Sequence, residues 1–286
     1  MLALTLALLS ATPTPTASFS TGIASVTEFG KRGARPLLLI PGLACGPWVW
    51  DDQIAALAPK YDVFAISLPG FDGRPMVSGN DLMSRAVDSL HHLIRGRHLV
   101  RAVVVGHSLG GTLAVLFGET YPSDVANVVS VEGGYPIAPT QRQRDAAVAR
   151  SVAPYQHVVQ TQLAAALRQN MLQYTIARRS DVARAAALAG RSDPQAIVAW
   201  MEAALSLDLT PQLYRITVPF TVIVPFDPVI DPYQGYKTAA DKLNAYRSWV
   251  RHAPRGEVVM IENARHFVMI DQPRAFERAL ENAINR

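Results

Sequence analysis

The chain has 286 residues, 49% of them hydrophobic and 17% charged, which excludes a disordered chain and suits one large α/β domain or a core with an insertion. A formal net charge of +4, with no dense Lys/Arg block interleaved with aromatics, argues against a nucleic-acid partner. The single cysteine, Cys45, rules out an internal disulfide and a thiolate metal cluster.

In chain order, residues 2–9 form an apolar run, followed by small residues and a Pro/Thr spacer. Within residues 1–18 this pattern predicts a secretory signal, cut after Ala11 or Ala17, and hence an exported (periplasmic or secreted) protein. No Lys or Arg precedes the run; read as a plain tail, it leaves the protein cytoplasmic. The run is too short to span a bilayer, and no later segment predicts stable membrane insertion.

Loose alternation over residues 21–29 predicts an early strand. Residues 36–40 (PLLLI) are wholly apolar, as expected of a central parallel strand buried on both faces. They run into the Gly/Pro loop 41–47 and a helix over 48–58, with Asp51 and Asp52 favoured in its first turn by the helix dipole. A strand over 61–68 ends at PGFDGRP, and a helix follows over 80–95. The strand–turn–helix of 99–121 comes next, then a strand over 125–132. Strands alternating with helices at this spacing predict a mostly parallel central sheet flanked by helices. Between about 135 and 210 the strand signal disappears. This Ala-, Gln-, Arg- and Leu-rich stretch predicts several helices, broken near Pro154, Gly190 and Pro194. A strand over 219–224, a helix over 231–252, a strand over 257–261 and a closing helix over 271–284, capped by Asp271, complete the chain.

The stretch with chemical content is 99–121. A β-branched run (Val103, Val104, Val105) breaks at Gly106-His107-Ser108-Leu109-Gly110 and resumes with helical apolar spacing at Leu113, Leu116 and Phe117. Gly-x-Ser-x-Gly between a buried strand and a helix presents one serine at the apex of a tight turn. Small residues are needed two before and two after it. A serine hydroxyl is a poor nucleophile without a base, and that base needs an orienting acid. His266 directly follows the last predicted strand, and the C-terminal ends of parallel strands share one sheet edge, so it can reach Ser108. His91, His92, His157 and His252 are predicted on helices and His98 at a strand start, while the His107 side chain is expected to face away from the catalytic face. For the acid, Asp227 follows the strand PFTVIV and is favoured. Glu132, ending the strand after the nucleophile helix, and Asp231, four residues beyond Asp227, are the alternatives. The backbone N–H groups of Leu109 and Leu43 are the expected oxyanion donors.

Together LLLIPG, PGFDGRP, GHSLGG, Asp227 and ENARHF, in the order Ser, acid, His, resemble the α/β-hydrolase superfamily, nearest its esterase and lipase branches. The resemblance covers nearly all of residues 19–286. It implies a Ser nucleophile, no metal or cofactor, and a helical lid inserted at about 135–210. Many relatives carry His-Gly where this chain has Pro41-Gly42, and Gly-x-x-Asp where it has Pro-Phe-Asp-Pro. The reading is a serine hydrolase acting on carboxylic esters of small molecules through an acyl-enzyme. Thioester, lactone or C–C bond hydrolysis and acyl transfer use the same triad, and a ligand-binding receptor with little turnover is the alternative from another class. The sequence sets neither substrate nor oligomeric state.

Overall fold

The computed structural model describes residues 13–286, so the apolar run at 2–9 lies outside the described residues. Eight strands form one sheet in the order β1-β2-β4-β3-β5-β6-β7-β8. They are β1 (Ala17–Thr21), β2 (Ala24–Gly30), β3 (Pro36–Ile40), β4 (Asp62–Ser67), β5 (Ala102–His107), β6 (Val125–Val131), β7 (Phe220–Phe226) and β8 (Gly256–Glu262). β1, β2 and β4 pair antiparallel, and every pairing from β4 to β8 is parallel. The early region is thus a hairpin rather than one strand. Ala17 opens β1, so of the two expected cuts only the one after Ala11 leaves that strand whole.

The helices are α1 (Asp51–Leu57), α2 (Leu82–Gly96), α3 (Leu109–Thr120), α4 (Gln141–Val152), α5 (Leu163–Leu167), α6 (Gln173–Thr175), α7 (Arg179–Ala189), α8 (Pro194–Leu205), α9 (Ala239–Val250), α10 (Val268–Asp271) and α11 (Pro273–Ile284). β3, β5 and β7 are buried along their whole length, which explains their unbroken Leu, Ile and Val runs: no position faces water, so none needs to be polar. α9 covers only the second half of its expected span, because a short 3-10 turn, Asp231–Gln234, takes the first residues. α11 starts at Pro273, and Asp271 is not its cap. The Asp271 carboxylate instead accepts from the amides of Ala177 (2.9 Å) and Arg265 (2.9 Å).

Registry sets the site. Ile40 pairs with Gly106, His107 with Val131, Val131 with Ile223, and Phe226 with Glu262, so β3, β5, β6, β7 and β8 end along one edge. The loops leaving that edge carry Leu43, Ser108, Glu132, Asp227 and His266. α4 to α8 all lie between β6 and β7 and are tied to these loops on two sides. On one side the Gly73 amide donates to Arg191 O, the Asp193 amide to Gly70 O, and the fully buried Trp200 indole to Pro69 O (3.0 Å). On the other, the Phe267 amide donates to Thr175 O, and Arg265 Nη1 to Gln173 O and Ile176 O. Among the described residues no helix is long and apolar enough to cross a membrane.

Candidate active site

Ser108 joins β5 to α3 at φ 54° and ψ −116°, a conformation that a side chain rarely adopts and that costs of order 1–3 kcal/mol. The turn closes only because its flanks are glycine. A Cβ at Gly106 would overlap the carbonyl of Gly110, and one at Gly110 would overlap the carbonyl of Ile40. The Ser108 amide donates to Val131 O (2.9 Å), fastening the turn to the end of β6. Leu109 is the first residue of α3, so its N–H has no partner within the helix. Leu43, Ser108, Leu109, Glu132 and His266 all line a cavity of about 680 Å³. The helical segment supplies Arg150, Tyr155, Asn170 and Trp200 to its wall.

The next residue after β6, Glu132, has a positive φ as well, 46°. Its Oε2 lies 2.7 Å from His266 Nδ1. A carboxylate can only accept, so Nδ1 carries the proton and Nε2 is left as the acceptor. This corrects the expectation for the acid: Glu132, not Asp227, meets the imidazole. Asp227 is folded onto its own turn, its Oδ1 accepting from the amides of Val229 (2.8 Å) and Ile230 (3.0 Å). Its Oδ2 takes Arg265 Nε at 3.1 Å. The guanidinium beside the histidine therefore captures the acid that chain position alone favoured. Asp231 does not reach His266 either. Its Oδ2 accepts the Asp227 amide (2.7 Å) and its Oδ1 meets Lys242 Nζ (2.7 Å).

Lys242, on α9 and 3% exposed, also holds Glu132 Oε1 at 2.6 Å. Burial alone would raise the Glu132 carboxyl, but the Lys242 charge and the His266 hydrogen bond outweigh it and hold it down at about 2. Burial would likewise lower Lys242, and Glu132 and Asp231 raise it instead. Removing one partner from a buried pair of this kind costs about 3–5 kcal/mol, whereas an intact pair adds little net stability. A pH dependence follows. A carboxyl depressed from 4.5 to about 2 contributes stability that is full above about pH 4.5 and lost as pH falls toward 2. We expect the unfolding temperature of the wild type to fall more steeply between pH 5 and about pH 2.5 than that of Glu132→Gln, as calorimetry in matched buffers would record. Parallel curves for the two proteins would remove Glu132 from the acid-labile set.

His107 does not line the cavity and meets the histidine loop instead. Its buried ring packs 4.7 Å from the His266 ring and 4.8 Å from Phe267, and its Nε2 lies 3.0 Å from His266 O. Nε2 must donate to that carbonyl, so Nδ1 carries only a lone pair, and it has no partner. Burial, with the His266 charge second, pushes His107 down to about 3, so it stays neutral and ties the serine turn to the histidine loop. Lys242 is the residue that sequence reasoning missed, since a lone lysine on an amphipathic helix carries no signal of burial. The positive φ at Glu132 was equally invisible, although Gly133-Gly134 behind it is the backbone freedom that such a turn uses.

The sequence profile of the alpha/beta hydrolase family matches residues 37–279. A match to abhydrolase domain-containing protein abhd-5.2 of Caenorhabditis elegans is 34% identical over 102 residues, 34% of this chain and 23% of that protein, so the chain spans under a quarter of that relative. Among solved structures, a thermophilic esterase from Thermogutta terrifontis superposes with TM-score 0.74 at 19% identity, over 93% of this chain and 97% of that one. The enol-lactonase from Burkholderia xenovorans LB400 superposes with TM-score 0.75 at 17% identity, over 94% and 100%. At these identities the two structures speak for the fold alone.

Proposed function

This chain belongs to the alpha/beta hydrolase family, and from that premise we propose that it is a serine hydrolase cleaving carboxylic esters of small molecules. The observation that supports it most is the His266–Glu132 hydrogen bond, in a cavity shared with a serine at positive φ. In this reading Ser108 Oγ attacks the ester carbonyl while His266 Nε2 takes its proton. Glu132 holds the imidazole in the required tautomer and balances the imidazolium that forms. The N–H groups of Leu43 and Leu109 receive the oxyanion. The C–O bond then breaks and the alcohol leaves with the proton from His266. Water next attacks the acyl carbonyl as His266 takes its proton, and that proton passes to Ser108 Oγ as the acyl–Oγ bond breaks and the carboxylic acid leaves. The helical segment over residues 135–210 acts as the lid, supplying the far wall of the cavity.

The test is a panel of p-nitrophenyl acetate and butyrate, a γ-lactone and a thioester, with wild type and Ser108→Ala side by side. Sustained ester turnover by the wild type, lost in the variant, is the expected result. Preference for the lactone or thioester would keep the triad and change the substrate class. Tight binding with about one turnover would contradict the enzyme reading and favour a receptor.

A further inference from the structure

Resting on that reading, we propose that Lys242 and Asp231 are positioning residues that set the charge state of the Glu132–His266 pair. Lys242 Nζ sits between two carboxylates, 2.6 Å from Glu132 Oε1 and 2.7 Å from Asp231 Oδ1, while the other Glu132 oxygen holds His266. Both ends of Glu132 are thereby fixed, so its rotation about the side chain is blocked from the side opposite the histidine. Asp231 is itself anchored through the Asp227 amide, so the chain of contacts runs from the loop after β7, through α9, to the residue after β6.

The charges give this arrangement a consequence. With His266 neutral, Glu132, Asp231 and Lys242 sum to one negative charge. When His266 takes the serine proton, the four groups sum to zero. Lys242 thus cancels one of the two carboxylates that bear on the imidazolium as it forms. The groups facing it are Tyr236, whose ring centroid is 5.8 Å from Lys242 Nζ, and Tyr135 from other elements, and Tyr246 from α9 itself. On the His266 side they are His107, which is neutral, and Arg265, whose charge is matched by Asp227. No facing group replaces Lys242 among the described residues.

Lys242→Met leaves two buried carboxylates facing one another. It raises the protonation of the cluster by the mutual repulsion of Glu132 and Asp231 and by the lost cation beside His266. Its acidic limb of kcat/KM should move to higher pH by roughly one unit or more. Asp231→Asn keeps the lysine wholly for Glu132 and removes a negative charge, so its limb should move to lower pH. The double variant should return toward the wild-type limb, because the two single shifts have opposite signs. The experiment is the pH profile of ester hydrolysis for all four proteins, with the His266 imidazole titration followed by NMR in parallel. Opposite shifts in the two single variants support the proposal, and if Lys242→Met does not fold, the downward shift of Asp231→Asn still does. Limbs that stay fixed, or move in the same direction, overturn it. A wild type without ester turnover would count against the hydrolase reading alone, since the NMR titration still reports the charge coupling.

Discussion

Ser108→Ala should lower kcat for a p-nitrophenyl ester by about 10⁶-fold, and His266→Ala by a similar factor, with the double variant no worse than either. The reason is that the two groups act as one device. Without His266 the serine hydroxyl keeps its proton and is a weak nucleophile, and without Ser108 the imidazole has no hydroxyl to activate. Residual rate would come from the oxyanion donors and from substrate binding, which neither substitution touches. Both variants should fold. Ser108 contributes little buried surface, and the strained φ that it occupies is tolerated because Gly106 and Gly110 flank it, not because of its hydroxyl. Steady-state kinetics over the first hours after purification, with unfolding temperatures as a control, would measure this. Multiplicative losses in the double variant would mean that Ser108 and His266 do not work together.

The second large effect separates two acids. Glu132→Gln should cost about 10³–10⁴-fold in kcat, whereas Asp227→Asn should stay within about tenfold of wild type. A glutamine can turn its NH2 toward His266 Nδ1 and so favour the tautomer whose proton sits on Nε2, where the serine proton must go. It also leaves the imidazolium unbalanced and strips Lys242 of one carboxylate. Asn at 227 keeps an oxygen for the amides of Val229 and Ile230 and loses mainly the ion pair to Arg265, a side chain whose other hydrogen bonds go to Gln173 O and Ile176 O. Ester kinetics above the acidic limb compare the two directly. A dead Asp227→Asn beside an active Glu132→Gln would reverse the assignment of the acid.

That contrast also marks where the sequence stops being legible. The serine turn was readable because steric crowding demands Gly106 and Gly110 at fixed offsets, and His266 was readable because topology places whatever follows β8 on the same edge as β5. The parallel sheet followed from buried β-branched runs alternating with helical spacing. The acid was different in kind. Three carboxylates leave the same edge, and the choice among them turns on rotamers and on competing cations, Arg265 for Asp227 and Lys242 for Asp231 and Glu132. Arg265 precedes His266 by one residue, so the competitor was in view, but nothing in a linear pattern says which way a guanidinium reaches. The contact between His107 and the histidine loop was hidden for a related reason. Alternation along a strand assigns its face, yet the histidine loop folds back over the end of β5 and meets it. Within the helical segment the breaks near Pro154, Gly190 and Pro194 were legible from backbone chemistry. Of the hydrogen bonds that tie the segment to the loops after β4 and β8, those of the Gly73, Asp193 and Phe267 amides run to main-chain carbonyls, groups that every residue owns.

Activation of Ser108 by His266 would show itself in the rate at which a fluorophosphonate labels the serine. Wild type and His266→Ala would be treated at neutral pH and the adduct mapped by peptide mass spectrometry. A single fast adduct on Ser108 is expected in the wild type, with labelling slowed by orders of magnitude in His266→Ala. Folded wild-type protein that takes no adduct, or takes it on another residue, would contradict it.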